Sequence, residues 1–327
     1  MNWLITGGCG FLGKNLIKFL KAEKDDVSIR VVDNFSVGQP NDLAYATTDY
    51  KKFDQLDELS WGSDIVQVIE GDILDASLAI GVSRGADVIV HLAANTGVGP
   101  SVENPRMDCT TNVLGTFNYL EACRVNNISR FVFASSGAPI GECIPPIHEE
   151  LACHPVSPYG ASKLAGEAYC SAYFRSYGVN TVALRFGNVY GPGSTHKSSV
   201  VAKFIRQAMN GETLEIYGDG SQTRDFIYTE DLVRAICLAS TKEGVGGEIF
   251  QIATNKETTV LELTEQLVNV LEANGVGPVE LTHGPKRVGD VMRNFSDTSK
   301  AKNVLGWECE FDINAGLGKA INWFLEL

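Results

Sequence analysis

The chain has 327 residues, 44% of them apolar and 20% charged, proportions ordinary for a soluble globular protein large enough to form two lobes. A formal net charge of −13 at pH 7 opposes a general nucleic-acid or anionic-membrane surface, but leaves room for a local basic pocket. No apolar run reaches the roughly 18 residues of a membrane-spanning helix.

The opening MNWLITGG lacks a basic segment and a small-residue cleavage site, so no signal peptide is expected and the expected location is cytoplasmic. The eight Cys are scattered without a C-x-x-C pair, and the five His are dispersed, so no metal site is expected. Cys123, Cys170 and Cys237 fall in apolar helical patterns and read as buried thiols. His91 ends an apolar strand and reads as structural.

In chain order, NWLIT, SIRVVD, IVQVIEGD, DVIVHLA and RFVFASS are near-continuous apolar runs, as in parallel strands covered on both faces. Helical periodicity predicts helices over 11–24, 105–124 and 158–177, and TVALRF (181–186) is a further strand. This alternation predicts an α/β fold with a doubly wound parallel sheet. After Phe186 the chain turns loop-rich at NVYGPGSTHKSS. Helices around 200–210, 229–240 and 260–273 and a strand LEIYG follow, and read as a smaller mixed α/β lobe. The expected division is 1–186, with 226–254 returning to it, and 187–327.

TGGCGFLG lies between the first strand and the first helix. It holds G-x-G-x-x-G (Gly8, Gly10, Gly13), overlapped by T-G-x-x-G-x-x-G (Thr6, Gly7, Gly10, Gly13). Glycines allow a tight turn and let backbone N–H groups approach a pyrophosphate at the helix N-terminus, so the lobe reads as Rossmann-type. The second strand ends in Asp33, where that fingerprint wants a carboxylate for ribose hydroxyls; an acid there repels a 2′-phosphate and favours NAD. Asp72, in EGDI, reads either as a partner of the adenine amino group or as a strand-end cap. The cofactor set is Gly7, Gly10, Phe11, Leu12, Gly13, Asp33, Asn34, Asp72, Ile73, Leu92, Ala93 and Ala94, joined by Tyr159 and Lys163.

In SPYGASKLAG, Tyr159 and Lys163 stand four apart on one helix face. Ser135 and Ser136 close the preceding strand. Together they form an acid/base set: a Tyr to move a proton on an alcohol, a Lys cation expected to pull the phenol pKa down, and a Ser to hold the reacting oxygen.

TGGCGFLG, HLAAN, FASSG, YGASK, RFGNVYGPG and TRDFIY, in that order, resemble the extended short-chain dehydrogenase/reductases, and most of all their NAD-dependent nucleotide-sugar epimerases and dehydratases. The resemblance covers almost the whole chain. It implies NAD held in the first lobe and a nucleoside-diphosphate sugar, with UDP expected, in the second. It assigns catalysis to Ser136, Tyr159 and Lys163, and substrate diphosphate contacts to Asn188, Arg224 and Arg287. Tyr217 falls where the family stacks a side chain on the base; otherwise it is a core aromatic. Thr96, Ser136, Val200, Leu214, Asp290 and Asn294 complete the expected substrate set.

Dehydratases resemble one another in placing Asp-Glu after the catalytic residue. Here Gly137-Ala138 stands there, and neither carries a proton. The simplest completion is return of the hydride to the other face of a 4-keto sugar, a UDP-hexose 4-epimerase extending to N-acetylhexosamine or uronic acid substrates. Pro139, Ile140 and Cys143 depart from the family pattern. An atypical dehydratase or 5-epimerase using Cys143 or Glu142, and a non-catalytic NAD-binding sensor, stay open as alternatives. Asn294 aligns with a position where, the resemblance implies, a bulky Tyr restricts some glucose epimerases and a smaller residue admits N-acetyl sugars, so tolerance of an enlarged hexose is expected. The two long helices suit an intermolecular four-helix packing and hence a homodimer.

Overall fold

Apolar runs that bury both faces must be covered on both faces, and the chain arranges itself accordingly. The computed structural model describes residues 1–23, 26–286 and 291–327. The strands of the large sheet are β1 (Asn2–Thr6), β2 (Ser28–Asp33), β3 (Tyr50–Phe53), β4 (Val66–Glu70), β5 (Val88–His91), β6 (Arg130–Ser136), β7 (Asn180–Phe186) and β12 (Glu248–Ile252). They pair in the order β12-β7-β6-β5-β1-β2-β4-β3, every neighbour parallel. The order reverses between β1 and β5, which places a crevice at their carboxyl ends.

Alternation along each strand feeds two cores. Trp3 and Ile5 of β1 pack with α1 (Phe11–Glu23) and α8 (Thr229–Thr241). Leu4 points to the other face, with α2 (Ala76–Val82), α5 (Gly115–Asn126) and α6 (Pro158–Tyr177). The helical stretch before α5 contains α3 (Val98–Glu103), α4 (Pro105–Cys109) and a π turn, Thr110–Leu114, running directly into α5.

The smaller lobe has its own core of Val201, Phe204, Leu214, Ile216, Leu263, Leu267, Ile321 and Phe324. It is built from α7 (Val200–Met209), α9 (Val260–Ala273), α10 (Ile313–Leu325) and three two-stranded sheets. These pair β8 (Asn188–Tyr190) with β11 (Phe226–Tyr228), β9 (Leu214–Tyr217) with β14 (Leu281–Gly284), and β10 (Thr223–Arg224) with β13 (Thr258–Thr259). Residues 137–157 strap the lobes together. Ile147 donates its N–H to Phe295 O and accepts at its own O from Asp297 N, both at 2.8 Å. Gly141 bridges His154 within the strap.

Three local features differ from the sequence expectation. YKKF forms edge strand β3; its two exposed lysines hide any strand pattern and blunt the sheet edge. Part of the Gly-rich stretch after Ala94 is helical, as α3. The predicted helix at 105–124 extends to Asn126, where Asn127 adopts the left-handed conformation and stops it.

Candidate active site

The glycine loop leaves β1 at the crevice. Gly7 N donates to Val32 O at 2.8 Å, tying the loop to β2. A Cβ on Gly13 would lie 2.5 Å from Gly8 Cα, so only glycine lets the first turn of α1 close over the loop. This cradle of backbone N–H groups at a helix N-terminus fits a dinucleotide pyrophosphate. Asp33, at the end of β2, accepts from Cys9 N at 3.0 Å and Phe35 N at 2.9 Å, which fixes the carboxylate beside the loop. Burial pushes its pKa up. Asp72 is exposed and caps its strand end: Oδ1 accepts from Leu74 N at 2.9 Å, and Oδ2 accepts from Asn34 Nδ2 at 3.2 Å at the same rim. Phe11, Leu12, Leu92, Ala93 and Ala94 are half-buried around the crevice, and Ile73 is buried beneath Gly115. Ala93 N donates to Thr6 Oγ1 at 3.2 Å.

His91 is structural. Its Nδ1 shares a 2.9 Å hydrogen bond with Thr6 Oγ1, its ring stacks on Phe131 and Phe133, and burial pushes its pKa down to about 3. Cys123, Cys170 and Cys237 are buried, as their helical patterns predict. Among the described residues, no group of His, Cys, Asp and Glu could hold a metal ion.

Helix α6 begins where its sequence says it should. Ser157 caps it, accepting from Gly160 N at 3.1 Å, and Pro158 occupies the first turn. A Cβ on Gly160 would meet Ala138 O at 2.5 Å, so glycine here lets the helix start abut the end of β6. That contact brings Tyr159 to Ser136, and their side chains are hydrogen-bonded. Lys163 is buried, and its Nζ donates to Ala134 O at 2.8 Å, one turn along the helix from Tyr159.

The structure separates the two serines. Ser135 faces the core, its Oγ donating to Glu167 Oε1 at 2.5 Å. Ser136 faces the crevice. The expectation that Lys163 acidifies Tyr159 is corrected. Burial dominates and pushes the Tyr159 phenol up to about 12, with the Ser136 hydrogen bond opposing it and Asp108 adding to it. Burial likewise brings Lys163 down to about 8, and its Nζ lies 5.9 Å from the Tyr159 ring centre.

The substrate set divides. Thr96 and Asn188 are exposed, and Val200 is half-buried at the start of α7. Tyr217 is 38% exposed with Lys203 Nζ 5.6 Å from its ring centre, so it is not a core aromatic. Arg224 Nη1 donates to Thr223 O at 2.6 Å and to Val291 O at 2.7 Å. Asn294 N donates to Thr223 Oγ1 at 3.3 Å, beside it. Leu214 is a correction: its side chain is wholly buried in the small-lobe core and has no surface for a ligand. Arg287 and Asp290 lie outside the described residues.

Two buried residues at this site were missed. Asn112, in the π turn, holds Nδ2 at 3.0 Å from each of Asp108 Oδ1, Ser162 Oγ and Asn95 O, three acceptors that share its two N–H groups. Its Oδ1 accepts from Asn95 N at 2.8 Å. Asp108 is wholly buried. A polar pair spaced i,i+4 in RMDCTTN was the available signal.

The family model of the NAD dependent epimerase/dehydratase family matches residues 3–253. The chain belongs to that family. A UDP-glucose 4-epimerase of Mycolicibacterium smegmatis is 33% identical over 329 residues, 99% of this chain and 98% of that one. The Thermotoga maritima UDP-glucose 4-epimerase, solved with UDP-glucose, superposes with a TM-score of 0.87 at 32% identity, covering 100% and 99% of the two chains. A dTDP-glucose 4,6-dehydratase of Streptomyces venezuelae, solved with NAD, has a TM-score of 0.85 at 29% identity, covering 100% and 97%. Family and fold are thus shared by epimerases and dehydratases, and the residues beside Tyr159 have to separate them.

Proposed function

We propose that this chain is an NAD-dependent nucleotide-sugar 4-epimerase acting on a UDP-hexose. The observation that carries the choice is Gly137-Ala138, directly after Ser136 and against the Tyr159 turn. Ala138 N donates to Ser136 Oγ at 3.2 Å, and neither residue brings a side-chain acid to the sugar. Elimination of water needs such a group; inversion at C4 does not.

NAD, when bound in the glycine cradle with Asp33 at its ribose, supplies the hydride acceptor and donor. The chain's own residues manage the proton and the pose. Tyr159 Oη takes the C4 hydroxyl proton and returns it to the keto oxygen. Ser136 Oγ holds that oxygen. Lys163, anchored on Ala134 O, would hold the nicotinamide ribose. Arg224, with Arg287, Asn188 and Tyr217, holds the nucleoside diphosphate while the sugar turns over. Cys143 is a poor acid/base candidate because burial raises its thiol pKa.

Asn294 supports acceptance of a 2-acetamido hexose as well as an unsubstituted one. Met107, Leu114 and Val125 leave an exposed apolar face on the 105–126 helical stretch, and Tyr169 and Tyr177 leave one on α6. These faces support a homodimer through four-helix packing. Among the described residues no helix is long and apolar enough to cross a membrane. The eight Cys, scattered without a C-x-x-C pair, support a reducing cytoplasmic location.

NMR of products from UDP-glucose and UDP-N-acetylglucosamine in deuterated water tests the reading. Inversion at C4 with C5 unlabelled is expected. Loss of water, or deuterium at C5, identifies a dehydratase or 5-epimerase instead.

A further inference from the structure

The reacting centre lies among buried charges that do not all pair with one another. Arg185 and Glu167 form a closed unit: Nε and Nη2 reach the two carboxylate oxygens at 2.8 and 2.7 Å, and both side chains are almost fully buried. Glu167 also accepts from Ser135. Its charge is therefore compensated by Arg185. Two buried charged groups then remain, the Lys163 ammonium and the Asp108 carboxylate.

Asp108 is not left to find its own position. Oδ1 accepts from Asn112 Nδ2, while Oδ2 has no hydrogen-bond partner among the described residues. The same Asn112 amide reaches Ser162 Oγ, and Ser162 in turn donates to Tyr159 O at 3.0 Å. A π turn inside a helix is costly, and such turns gather at functional sites. Here it sets Asn112 between Asn95, Asp108 and α6. One amide thus ties a buried carboxylate to the turn that carries Tyr159.

We propose that Asp108 is an electrostatic positioning residue of the reacting centre, held by Asn112 as the counter-charge of Lys163 and as a negative field on the Tyr159 phenol. A buried anion at this place favours the charged ammonium and disfavours the phenolate. Both effects have the expected sign, since Asp108 raises the pKa of Lys163 and of Tyr159. The other groups facing Lys163 are Glu167 and Cys170 from α6, which also favour its charge, and His91 from β5, which burial keeps neutral. Facing Tyr159, Ser136 acts in the opposite sense to Asp108. With Glu167 closed by Arg185, Asp108 is the group that couples the two reacting side chains, favouring the ammonium on Lys163 and setting how readily the Tyr159 phenol gives up its proton.

This inference rests on Tyr159 as the proton carrier, but its test reads ionisation rather than turnover. The NAD-bound protein is titrated by tyrosinate absorption, and the Tyr159 contribution is isolated by subtracting the Tyr159→Phe trace. Asp108→Asn keeps the shape and still accepts from Asn112, but removes the charge. Its Tyr159 transition, isolated against the Asp108→Asn/Tyr159→Phe double variant, is expected about one pH unit lower, and Asp108→Glu is expected to restore it. Transitions that coincide in wild type and Asp108→Asn overturn the proposal, even if activity falls. So does failure of Asp108→Asn to fold, judged by NAD retention and a cooperative melt, because that assigns Asp108 to the scaffold. If no sugar is epimerised but the transition still moves, the functional reading fails while the electrostatic one survives.

Discussion

Ser136 and Tyr159 are hydrogen-bonded across the junction of β6 and α6, while Ser135, one residue earlier, turns to Glu167 in the core. Adjacent strand residues face opposite ways, so one serine serves the crevice and the other the scaffold.

Tyr159→Phe removes only the phenolic oxygen. Proton transfer by a positioned side chain contributes about 10²–10⁴-fold, so turnover is expected to fall by that factor while NAD stays bound. Ser136→Ala is expected to cost less, because water can replace one hydrogen bond. Ser135→Ala is expected to leave kcat within about twofold and to lower thermal stability by about 1 kcal/mol instead. Steady-state kinetics and calorimetry on the three variants check the division; equal loss of turnover in both serine variants contradicts it.

Glu167 and Arg185 illustrate a buried pair whose members cannot be removed singly. Glu167→Gln leaves the Arg185 guanidinium buried without its counter-charge, and is expected to destabilise the fold by about 3–5 kcal/mol. The double variant Glu167→Met/Arg185→Met should recover much of that loss, since no unpaired charge remains. Denaturant unfolding of both variants decides; a double variant as unstable as the sum of its parts refutes the argument.

Much of this site was legible because its signals are local. The strand–glycine–helix junction, Asp33 at a strand end and the Ser157-Pro158 helix start are each written within a few residues. Asp108 was written only as a weak i,i+4 pairing with Asn112. In RMDCTTN a carboxylate reads as a solvated helix face, and only the packing of α6 against the π turn buries it. Leu214 failed in the opposite direction. Its place in LEIYG suggested a ligand contact, but strand alternation sends it inward with Ile216 while Tyr217 is exposed. Edge strand β3 escaped because YKKF shows no apolar alternation.

His91 makes stability depend on pH in a defined direction. Its folded pKa of about 3 lies below the ordinary 6.5, so the unfolded chain binds the proton more readily. The stability this neutral ring contributes is complete above pH 6.5 and is lost as pH falls toward 3. His91→Gln, which keeps a hydrogen-bonding partner for Thr6 but does not titrate, is expected to flatten the decline of the melting temperature across that window. An identical slope in the variant counts against His91 as its source.

Gly13→Ala tests the cradle. The added methyl would sit 2.5 Å from Gly8 Cα and 2.6 Å from Gly7 O, and backbone rather than a flexible side chain has to give way. The loop opens, its N–H groups lose their common focus, and NAD affinity is expected to fall by at least about 10-fold, a cost of about 1.4 kcal/mol. The sheet beneath is unaffected, so the melting temperature of the cofactor-stripped protein should move little by comparison. Fluorescence titration with NAD beside a melt of the stripped protein separates these effects; unchanged affinity means the loop does not grip the pyrophosphate.

Asn294 N and Arg224 Nη1 both bond Thr223, so the proposed sugar-facing position lies beside the proposed diphosphate ligand. A side chain at 294 then decides how much room the hexose has without disturbing the clamp. Asn294→Tyr is expected to lower kcat/KM for UDP-N-acetylglucosamine by at least about 10-fold, because overpacking against the 2-acetamido group costs about 1–3 kcal/mol. For UDP-glucose the same substitution should leave kcat/KM within about threefold. The ratio of the two values is the measurement, since a general fault in the fold or the clamp lowers both alike. A ratio unchanged from wild type removes Asn294 from the sugar pocket.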